Sequence, residues 1–206
     1  TVGVKRQKEF LRRKQLHHDV RMQEAQTGVV TGLAWTSAGG EILFIETAKI
    51  HGDGKVKVTG QLGDVMKESV QIALTLVKSM FPEEAEVLKE ADLHIHVPAG
   101  AVPKDGPSAG ITIVTALTSM LLNKGISPEF AMTGEVSLRG GVMPIGGLPE
   151  KLMAAQRAGI KTVFIPYDNR EDLEDVAEEV KAELHIIPVK RVEEVLKQTG
   201  LISEKQ

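Results

Sequence analysis

The sequence predicts an α+β fold, that is, a mixed α/β domain with β-hairpins, mixed sheets and packed helices. Runs rich in Val, Ile, Leu, Phe and Thr are separated by glycine-containing turns, which predicts hairpins. Other segments carry apolar residues at helical spacing, and the two kinds of segment follow one another along the chain. With 206 residues, 42% of them hydrophobic, the chain can form one or two compact units around a buried core.

The first half of the chain is predicted to contain a hairpin, two further strands and two helices. The turn Ser37-Ala38-Gly39-Gly40 separates the hairpin strands. The first helix is amphipathic and ends at Phe81-Pro82, whereas the second is apolar on nearly every side and is therefore predicted to be buried. The strands cover residues 28–36, 41–50, 55–59 and 92–98, and the helices cover 61–80 and 108–123.

The second half is predicted to combine further strands and helices. Pro149 suits the first turn of a helix and Gly159 suits the left-handed position that follows one, so a helix is predicted between them. The strands cover residues 130–136, 141–144, 161–166 and 184–188, and the helices cover 149–158, an acidic stretch at 168–179, and 191–198.

Composition excludes several functional classes. The net charge of −3 is too small to suggest that the whole chain binds nucleic acid or a membrane. Because the chain has no Cys, it has no disulfides, thiolate nucleophile or Cys-ligated metal site. The longest apolar stretch, residues 111–122, is too short to span a bilayer. Since the chain opens on Thr1 without a signal-peptide pattern, we expect it to be part of something larger.

Basic residues are concentrated at the start of the chain, and this change in composition predicts three regions. Residues 1–26 are expected to be a basic linker or the end of a missing upstream module, residues 27–200 the packed domain, and residues 201–206 a C-terminal tail. A linker or solvated helix explains the basic character, and a weak nucleic-acid patch is the alternative. The basic residues are Lys5, Arg6, Lys8, Arg12, Arg13, Lys14 and Arg21.

The loop at residues 103–110, PKDGPSAG, is the strongest candidate for a catalytic site. It places the hydroxyl of Ser108 at the start of the buried helix, where unpaired amides and the helix dipole can stabilise an oxyanion. Pro107 has no N–H, so the amides of Ser108 and its Gly and Ala neighbours are the candidate donors. Two alternatives stay open: Ser108 caps the helix, or the loop holds a phosphate, although the P-loop pattern is absent.

A serine nucleophile needs a base, and Lys151 is the candidate. None of the six His residues has a distinctive triad setting in the sequence. Lys151 lies near the start of the helix predicted over 149–158, where the positive end of the helix dipole favours a neutral amine, as burial also does. The alternative is an ordinary solvated lysine at a helix end.

The chain resembles the proteolytic domain of Lon, the ATP-dependent protease, of the bacterial type. The resemblance covers residues 27–200 and consists of several long segments in the same order. These segments are GVVTGLAWTSAGG (28–40), TGQLGDVMKES (59–69), HIHVPAGAVPKDGPSAG (94–110), AMTGEVSLRGGVMPIGG (131–147) and EKLMAAQRAGIKTVFIP (150–166).

The resemblance implies a catalytic dyad, with Ser108 as the nucleophile and Lys151 as the general base. It also implies that Thr133 hydrogen-bonds the lysine and helps to orient it. Ala99 is a departure, because many relatives are expected to have Glu there. The resemblance associates Asp105, Glu135, His94 and His96 with shaping or supporting the site, and Lys104, Gly106, Pro107 and Ala109 with the oxyanion and substrate loop.

The residues themselves leave several roles open. His94 and His96 share one face of a predicted strand, which favours a structural pair; no metal site is predicted, since more ligands would be needed. Glu135 is a candidate ion-pair partner of Arg139 or Lys151. Trp35 is expected in the core, with a place along the substrate cleft as the alternative.

The resemblance further implies a serine endopeptidase domain that hydrolyses unfolded or misfolded proteins through an acyl-enzyme. It implies no cofactor in this chain, ATP and Mg being expected only for an absent ATPase module, and a homohexameric ring in the full-length enzyme. A bacterial cytoplasm is expected, with the mitochondrial matrix as the alternative. The alternatives in function are a phosphate- or nucleotide-binding, kinase-like domain and a non-catalytic nucleic-acid module built on residues 1–21.

Overall fold

The computed structural model describes residues 24–98 and 106–204 of the chain. Lys104 and Asp105 of the predicted substrate loop lie outside these described residues, as do Ala99 and the basic residues from Lys5 to Arg21. Within the described ranges, the fold is the mixed α/β arrangement that the sequence predicts.

Most of the predicted strands and helices are present, with shifted ends. In chain order, the strands are β1 (Gln26–Thr27), β2 (Val29–Thr36), β3 (Gly39–His51), β4 (Val56–Thr59), β5 (Ala91–His96), β6 (Gly125–Ile126), β7 (Phe130–Met132), β8 (Glu135–Val136), β9 (Val142–Met143), β10 (Thr162–Pro166) and β11 (His185–Val189). The α-helices are α1 (Asp64–Met80), α2 (Gly110–Leu122), α3 (Leu148–Arg157), α4 (Glu178–Glu183) and α5 (Val192–Gln198), and 3₁₀ segments cover Glu84–Glu90 and Tyr167–Asp175.

A seven-stranded mixed sheet organises the fold, with the strands in the order β11–β10–β7–β2–β3–β5–β4. β2 and β3 form the predicted hairpin, and their antiparallel register ends with Thr36 opposite Gly39. On its other side β2 pairs with β7 in parallel, at Thr31 and Gly32. Within the described residues, the last part of β2 therefore has a strand partner on one side only.

Helices cover both faces of the sheet. Because strand side chains alternate between the two faces, Val30 and Ile45 belong to the larger apolar core with α1, α2 and α5, whereas Leu33 belongs to a second core with α3 and α4. Nearly every residue of α2 is buried, as predicted, since this helix contacts α1 and α5 as well as β2 and β3.

Two predicted elements are wrong in detail. The run predicted as one strand over 130–136 is divided into β7 and β8, because the amide of Gly134 donates to the carbonyl of Ser108 instead of to the neighbouring strand β10. In the stretch predicted as one acidic helix over 168–179, a 3₁₀ segment ends at Asp175, and the chain is extended at Val176, whose side chain is buried. Both departures arise from contacts with distant segments, which a periodic pattern does not encode.

The structure also contains elements that the sequence did not predict. The 3₁₀ segment Glu84–Glu90 lies before β5, and the short strands β1 and β6 pair antiparallel. The packed core extends beyond residue 200, because Leu201 and Ile202 are buried in the larger core.

Candidate active site

Ser108 lies in a turn immediately before α2. The helix begins at Gly110, rather than at Ser108 as predicted, and its N-cap is Ala109. No side chain caps this end of α2, so the alternative that Ser108 is a helix cap is wrong. Ser108 is half-buried, and its carbonyl accepts a hydrogen bond from the amide of Gly134 at 2.9 Å.

The main chain around Ser108 offers candidate hydrogen-bond donors. The amide of Gly110 donates to the carbonyl of Pro107 at 3.2 Å. For the amides of Ser108 and Ala109, no partner is found within the described parts of the chain. Gly106 has φ of 129°, a left-handed conformation that favours glycine, and this conformation sets the entry of the loop into the turn.

Lys151 lies near the start of α3 and is only 2% exposed. Its amine donates a hydrogen bond to Thr133 Oγ1 at 3.1 Å. Burial removes water from the ammonium form and thereby lowers the pKa of Lys151 from 10.5 to about 8. The alternative of a solvated surface lysine is therefore wrong.

Thr133 and Gly134 connect the surroundings of Ser108 to Lys151. Thr133 accepts the hydrogen bond from Lys151, and the next amide in the chain bonds the carbonyl of Ser108. The segment is itself held from both sides: the Thr133 amide donates to Phe164 at 3.1 Å, and the Gly134 carbonyl accepts from Ile111 at 3.0 Å. Two adjacent residues after β7 therefore tie the start of α2 to the lysine of α3.

Ser108 and Lys151 line the same cavity, whose volume is about 330 Å³. Its walls include the end of β2 at residues 34–36, the turn at 106–109 and the segment at 144–146. Trp35 is 61% exposed, so the expectation that it lies in the core is wrong. Its ring lies on the cavity wall above Gly147, where an added Cβ would come within 2.7 Å of the ring.

The two predicted histidines lie together on one face of β5. Thr59 Oγ1 on β4 is 2.8 Å from Nε2 of His94 and 2.6 Å from Nδ1 of His96. The pair therefore joins β4 to β5, and neither ring is among the residues that line the cavity at Ser108. Glu135 is half-buried in β8 and, within the described ranges, forms an ion pair with neither Arg139 nor Lys151.

Sequence reasoning missed Asn169, which is 4% exposed. Its side-chain carbonyl accepts from the amide of Ile145 at 2.9 Å, and its side-chain amide donates to the carbonyl of Ile145 at 2.8 Å. Ile145 belongs to the cavity wall. The available signal was an Asn shortly after the end of a predicted strand, in a stretch whose acidic residues instead favoured a helix.

Neither a cluster of metal ligands nor a membrane-spanning helix occurs in the described residues. In residues 24–98 and 106–204, no group of three or more His, Asp and Glu side chains is arranged to hold a metal ion. Over those ranges, no helix combines the length and the apolar character that crossing a bilayer requires.

The sequence matches the family described as Lon protease (S16) C-terminal proteolytic domain over residues 1–201. The Lon protease of Clostridium beijerinckii is 57% identical over 195 residues, which make up 95% of this chain and 24% of that protein. The Lon protease of Methanosarcina barkeri is 52% identical over 193 residues, 93% of this chain and 24% of that protein. The Lon protease of Escherichia coli is 54% identical over 176 residues, 84% of this chain and 22% of that protein.

These matches define the chain as a proteolytic domain of the serine-protease class. It belongs to the family of Lon protease C-terminal proteolytic domains. The family match begins at residue 1 and therefore includes the basic segment. The chain spans about a quarter of the length of the curated relatives it matches. Membership in this family does not favour the kinase-like or the nucleic-acid-binding alternative.

Proposed function

We propose that this domain hydrolyses peptide bonds of unfolded or misfolded proteins through an acyl-enzyme formed on Ser108, with Lys151 as the general base. One observation carries the proposal: a lysine that is 2% exposed lines the same cavity as a serine whose neighbouring amides can hold an oxyanion. An enclosed amine with a pKa of about 8 is neutral in about a tenth of molecules at pH 7, far more often than an ordinary lysine.

Acylation begins when neutral Lys151 accepts the proton of the Ser108 hydroxyl as the oxygen attacks the substrate carbonyl. Thr133 holds the lysine amine by its hydrogen bond, which limits the positions that the base can adopt. The amides of Ser108 and Ala109 are the proposed donors to the oxyanion. Loss of such stabilisation typically lowers turnover about 100- to 1000-fold.

The tetrahedral intermediate then collapses, and the ammonium of Lys151 gives its proton to the leaving amine. The amine departs and the acyl group stays on Ser108. Neutral Lys151 next removes a proton from water, whose oxygen attacks the ester carbonyl. Collapse of the second intermediate returns the proton to Ser108 and releases the carboxylic acid, so the dyad is restored.

The substrate is proposed to bind as an extended strand beside the end of β2. Pairing of β2 with β7 stops at Gly32, whereas residues 34–36 continue along the cavity wall. A substrate strand would form main-chain hydrogen bonds there, and such bonds do not select for particular substrate side chains. Trp35 would supply an apolar surface beside this strand, which supports broad selectivity with a contribution from apolar side chains.

The full-length protein is proposed to deliver substrates to this site by using ATP and Mg bound outside this chain. Self-association into a homohexameric ring and a cytoplasmic location are parts of the same proposal, supported by the family resemblance. Asp105, Glu135, His94 and His96 are proposed to support the site, and Lys104, Gly106 and Pro107 to shape its substrate loop. The His pair supports it through the hydrogen bonds that join β4 to β5.

The test removes each member of the dyad separately. Ser108→Ala and Lys151→Ala should each abolish cleavage of a chemically unfolded protein, because one removes the attacking oxygen and the other the base. Far-UV circular dichroism should stay unchanged. Ser127→Ala and Lys161→Ala are matched controls, since both residues lie outside the cavity at Ser108.

Normal turnover by the Ser108→Ala variant would contradict the proposal. If Lys151→Ala lowers the ellipticity, Lys151→Met is the replacement variant, because Met keeps a long side chain in the buried position. Turnover by a folded Lys151→Met variant equal to that of the parent would show that another group is the base.

A further inference from the structure

We propose that Asn169 is a positioning residue for the active-site wall formed by residues 144–146. This inference rests on the proposed function, since the wall matters if substrate binds in the cavity at Ser108. Asn169 lies in the 3₁₀ segment after β10, far along the chain from the wall that it contacts.

The side chain of Asn169 bonds both main-chain groups of one wall residue. Its Oδ1 accepts from the amide of Ile145 at 2.9 Å, while its Nδ2 donates to the carbonyl of Ile145 at 2.8 Å. A neighbouring β-strand would satisfy one residue in the same way, through its N–H and its C=O. Asn169 therefore forms the two hydrogen bonds that a strand partner would form, but with a segment that has no regular secondary structure.

Asp172 fixes the orientation of the Asn169 amide. Nδ2 also donates to Oδ2 of Asp172 at 2.7 Å, which only the NH₂ end of the amide can do. The two N–H donors and the carbonyl acceptor of Asn169 are thus all used, in a site where the residue is 4% exposed. A flipped amide would place two acceptors against each other at Asp172 and at the Ile145 carbonyl.

The segment held by Asn169 faces the reacting groups. Pro144, Ile145 and Gly146 line the cavity together with Ser108 and Lys151, and the chain continues from them through Gly147 into α3. Residues 34–36 line another part of the cavity. A substrate strand along β2 would therefore be confined by the segment that Asn169 holds, and a displacement of about 1 Å in such a wall can lower turnover about 100-fold.

A merely structural Asn and a positioning Asn differ in what their removal changes. Asn169→Ala should lower kcat/KM for a fluorogenic unstructured peptide about ten- to hundredfold. The upper value is the loss that a displacement of about 1 Å in a positioning group typically causes. The rate at which a small fluorophosphonate modifies Ser108 should change less than about twofold, because this probe needs the serine and lysine but no extended wall.

The experiment uses the 206-residue chain and three variants. Asn169→Asp keeps the shape and the acceptor for the Ile145 amide but removes the donor to the Ile145 carbonyl, so a loss like that of Asn169→Ala is expected. This variant decides the outcome if Asn169→Ala does not fold. Asp168→Ala is the matched control, since Asp168 is the exposed neighbour in the same segment and should keep the parent kcat/KM.

Three results would overturn the inference. Unchanged peptide kinetics in a folded Asn169 variant would show that the wall does not need this residue. A parallel loss of peptide cleavage and fluorophosphonate labelling would show damage to the dyad or to the fold rather than to the wall. A parent chain that neither cleaves peptide nor reacts with the probe would overturn the proposed function, and this inference with it.

Discussion

Burial of the Lys151 amine is unfavourable for folding and favourable for catalysis, for the same physical reason. A lysine that is 2% exposed cannot keep the water that stabilises its ammonium form. The neutral form gains relative population, and the hydrogen bond to Thr133 holds its nitrogen in place. The side chain that the proposed mechanism uses as a base is therefore one that weakens the folded state while it is charged.

Replacing this lysine should stabilise the domain. The difference between a pKa of 10.5 in the unfolded chain and about 8 in the folded one corresponds to about 3 kcal/mol of destabilisation below pH 8. Loss of the Thr133 hydrogen bond offsets about 1 kcal/mol. Lys151→Met should therefore raise the free energy of unfolding at pH 7 by about 2 kcal/mol, measured by urea denaturation.

The pH dependence of that gain has a definite sign. Between pH 8 and 10.5 the unfolded parent binds more protons than the folded parent, so its stability increases with pH over this window. The advantage of Lys151→Met should therefore shrink as the pH rises through this window. A Lys151→Met variant that is less stable than the parent at pH 7 would contradict the assigned cost of burial.

The same titration should govern the rate of peptide hydrolysis. Since neutral Lys151 is the proposed base, kcat/KM should rise with pH and level off above about 8, the pKa of the buried amine. The measurement uses a peptide without ionisable side chains, so that the profile reports the free enzyme. A profile with a purely acidic optimum would argue against a lysine base.

At the residue scale, the sequence predicted the groups with local signals and misjudged those that depend on distant contacts. Ser108 lies in a Gly- and Pro-rich loop before an apolar run, and Lys151 follows the predicted helix start at Pro149, so both were recognisable. Trp35 was expected in the core, but it lies on the cavity wall and is 61% exposed. Asn169 acts on a residue 24 positions away, which its own neighbours do not indicate.

At the scale of elements, the position of Lys151 depends on how closely α3 approaches the hairpin. Gly40 at the start of β3 lies against the first turn of α3, where an added Cβ would be 2.0 Å from the carbonyl oxygen of Glu150. That oxygen belongs to the residue before the lysine. No rotamer change relieves a clash with main-chain atoms, so the two elements would have to move apart.

Gly40→Ala should accordingly displace α3 and weaken both stability and catalysis. Overpacking of this kind typically costs about 1–3 kcal/mol, and the shift of Lys151 away from the cavity should reduce peptide cleavage about tenfold or more. Thermal denaturation and peptide kinetics provide the two measurements. Gly125→Ala is the matched control, because its nearest contact is the Cβ of Ala25 at 3.4 Å, an ordinary van der Waals distance. Equal effects of the two substitutions would contradict the close contact at Gly40.

The type of each long, periodic element could be predicted, but the ends of the short elements could not. α1 and α2 have strong patterns and lie where the sequence indicates, with small shifts at their ends. β7 stops at Met132 because the Thr133 amide is the last to bond the neighbouring strand β10, at Phe164, and the Gly134 amide bonds the carbonyl of Ser108 outside the sheet. Thr133, the first residue after this break, accepts the hydrogen bond from Lys151. The strand predicted over 130–136 is therefore wrong at the residues that belong to the site.

At the scale of the whole molecule, the site lies where the two apolar cores meet. Ala109, next to Ser108, belongs to the larger core, whereas Leu148 and Leu152, on either side of Lys151, belong to the second. The residues after β7 connect the two, because β7 lies between β2 and β10 in the sheet. This strand order joins distant segments, so the composition and periodicity of the sequence predicted the fold class without predicting the order.

The end of the chain contributes to this architecture through Leu201 and Ile202, which are 1% and 9% exposed in the larger core. Their amides donate to the carbonyl of Leu196 on α5, at 2.9 and 3.2 Å. Removing residues 201–206 should lower the free energy of unfolding by about 3–6 kcal/mol, since two large buried side chains are lost. Removing only residues 203–206 should leave it within about 0.5 kcal/mol, because Ser203 and Glu204 are exposed. Urea denaturation of the two shortened chains measures the difference, and equal stability would show that these two side chains do not hold α5 against the core.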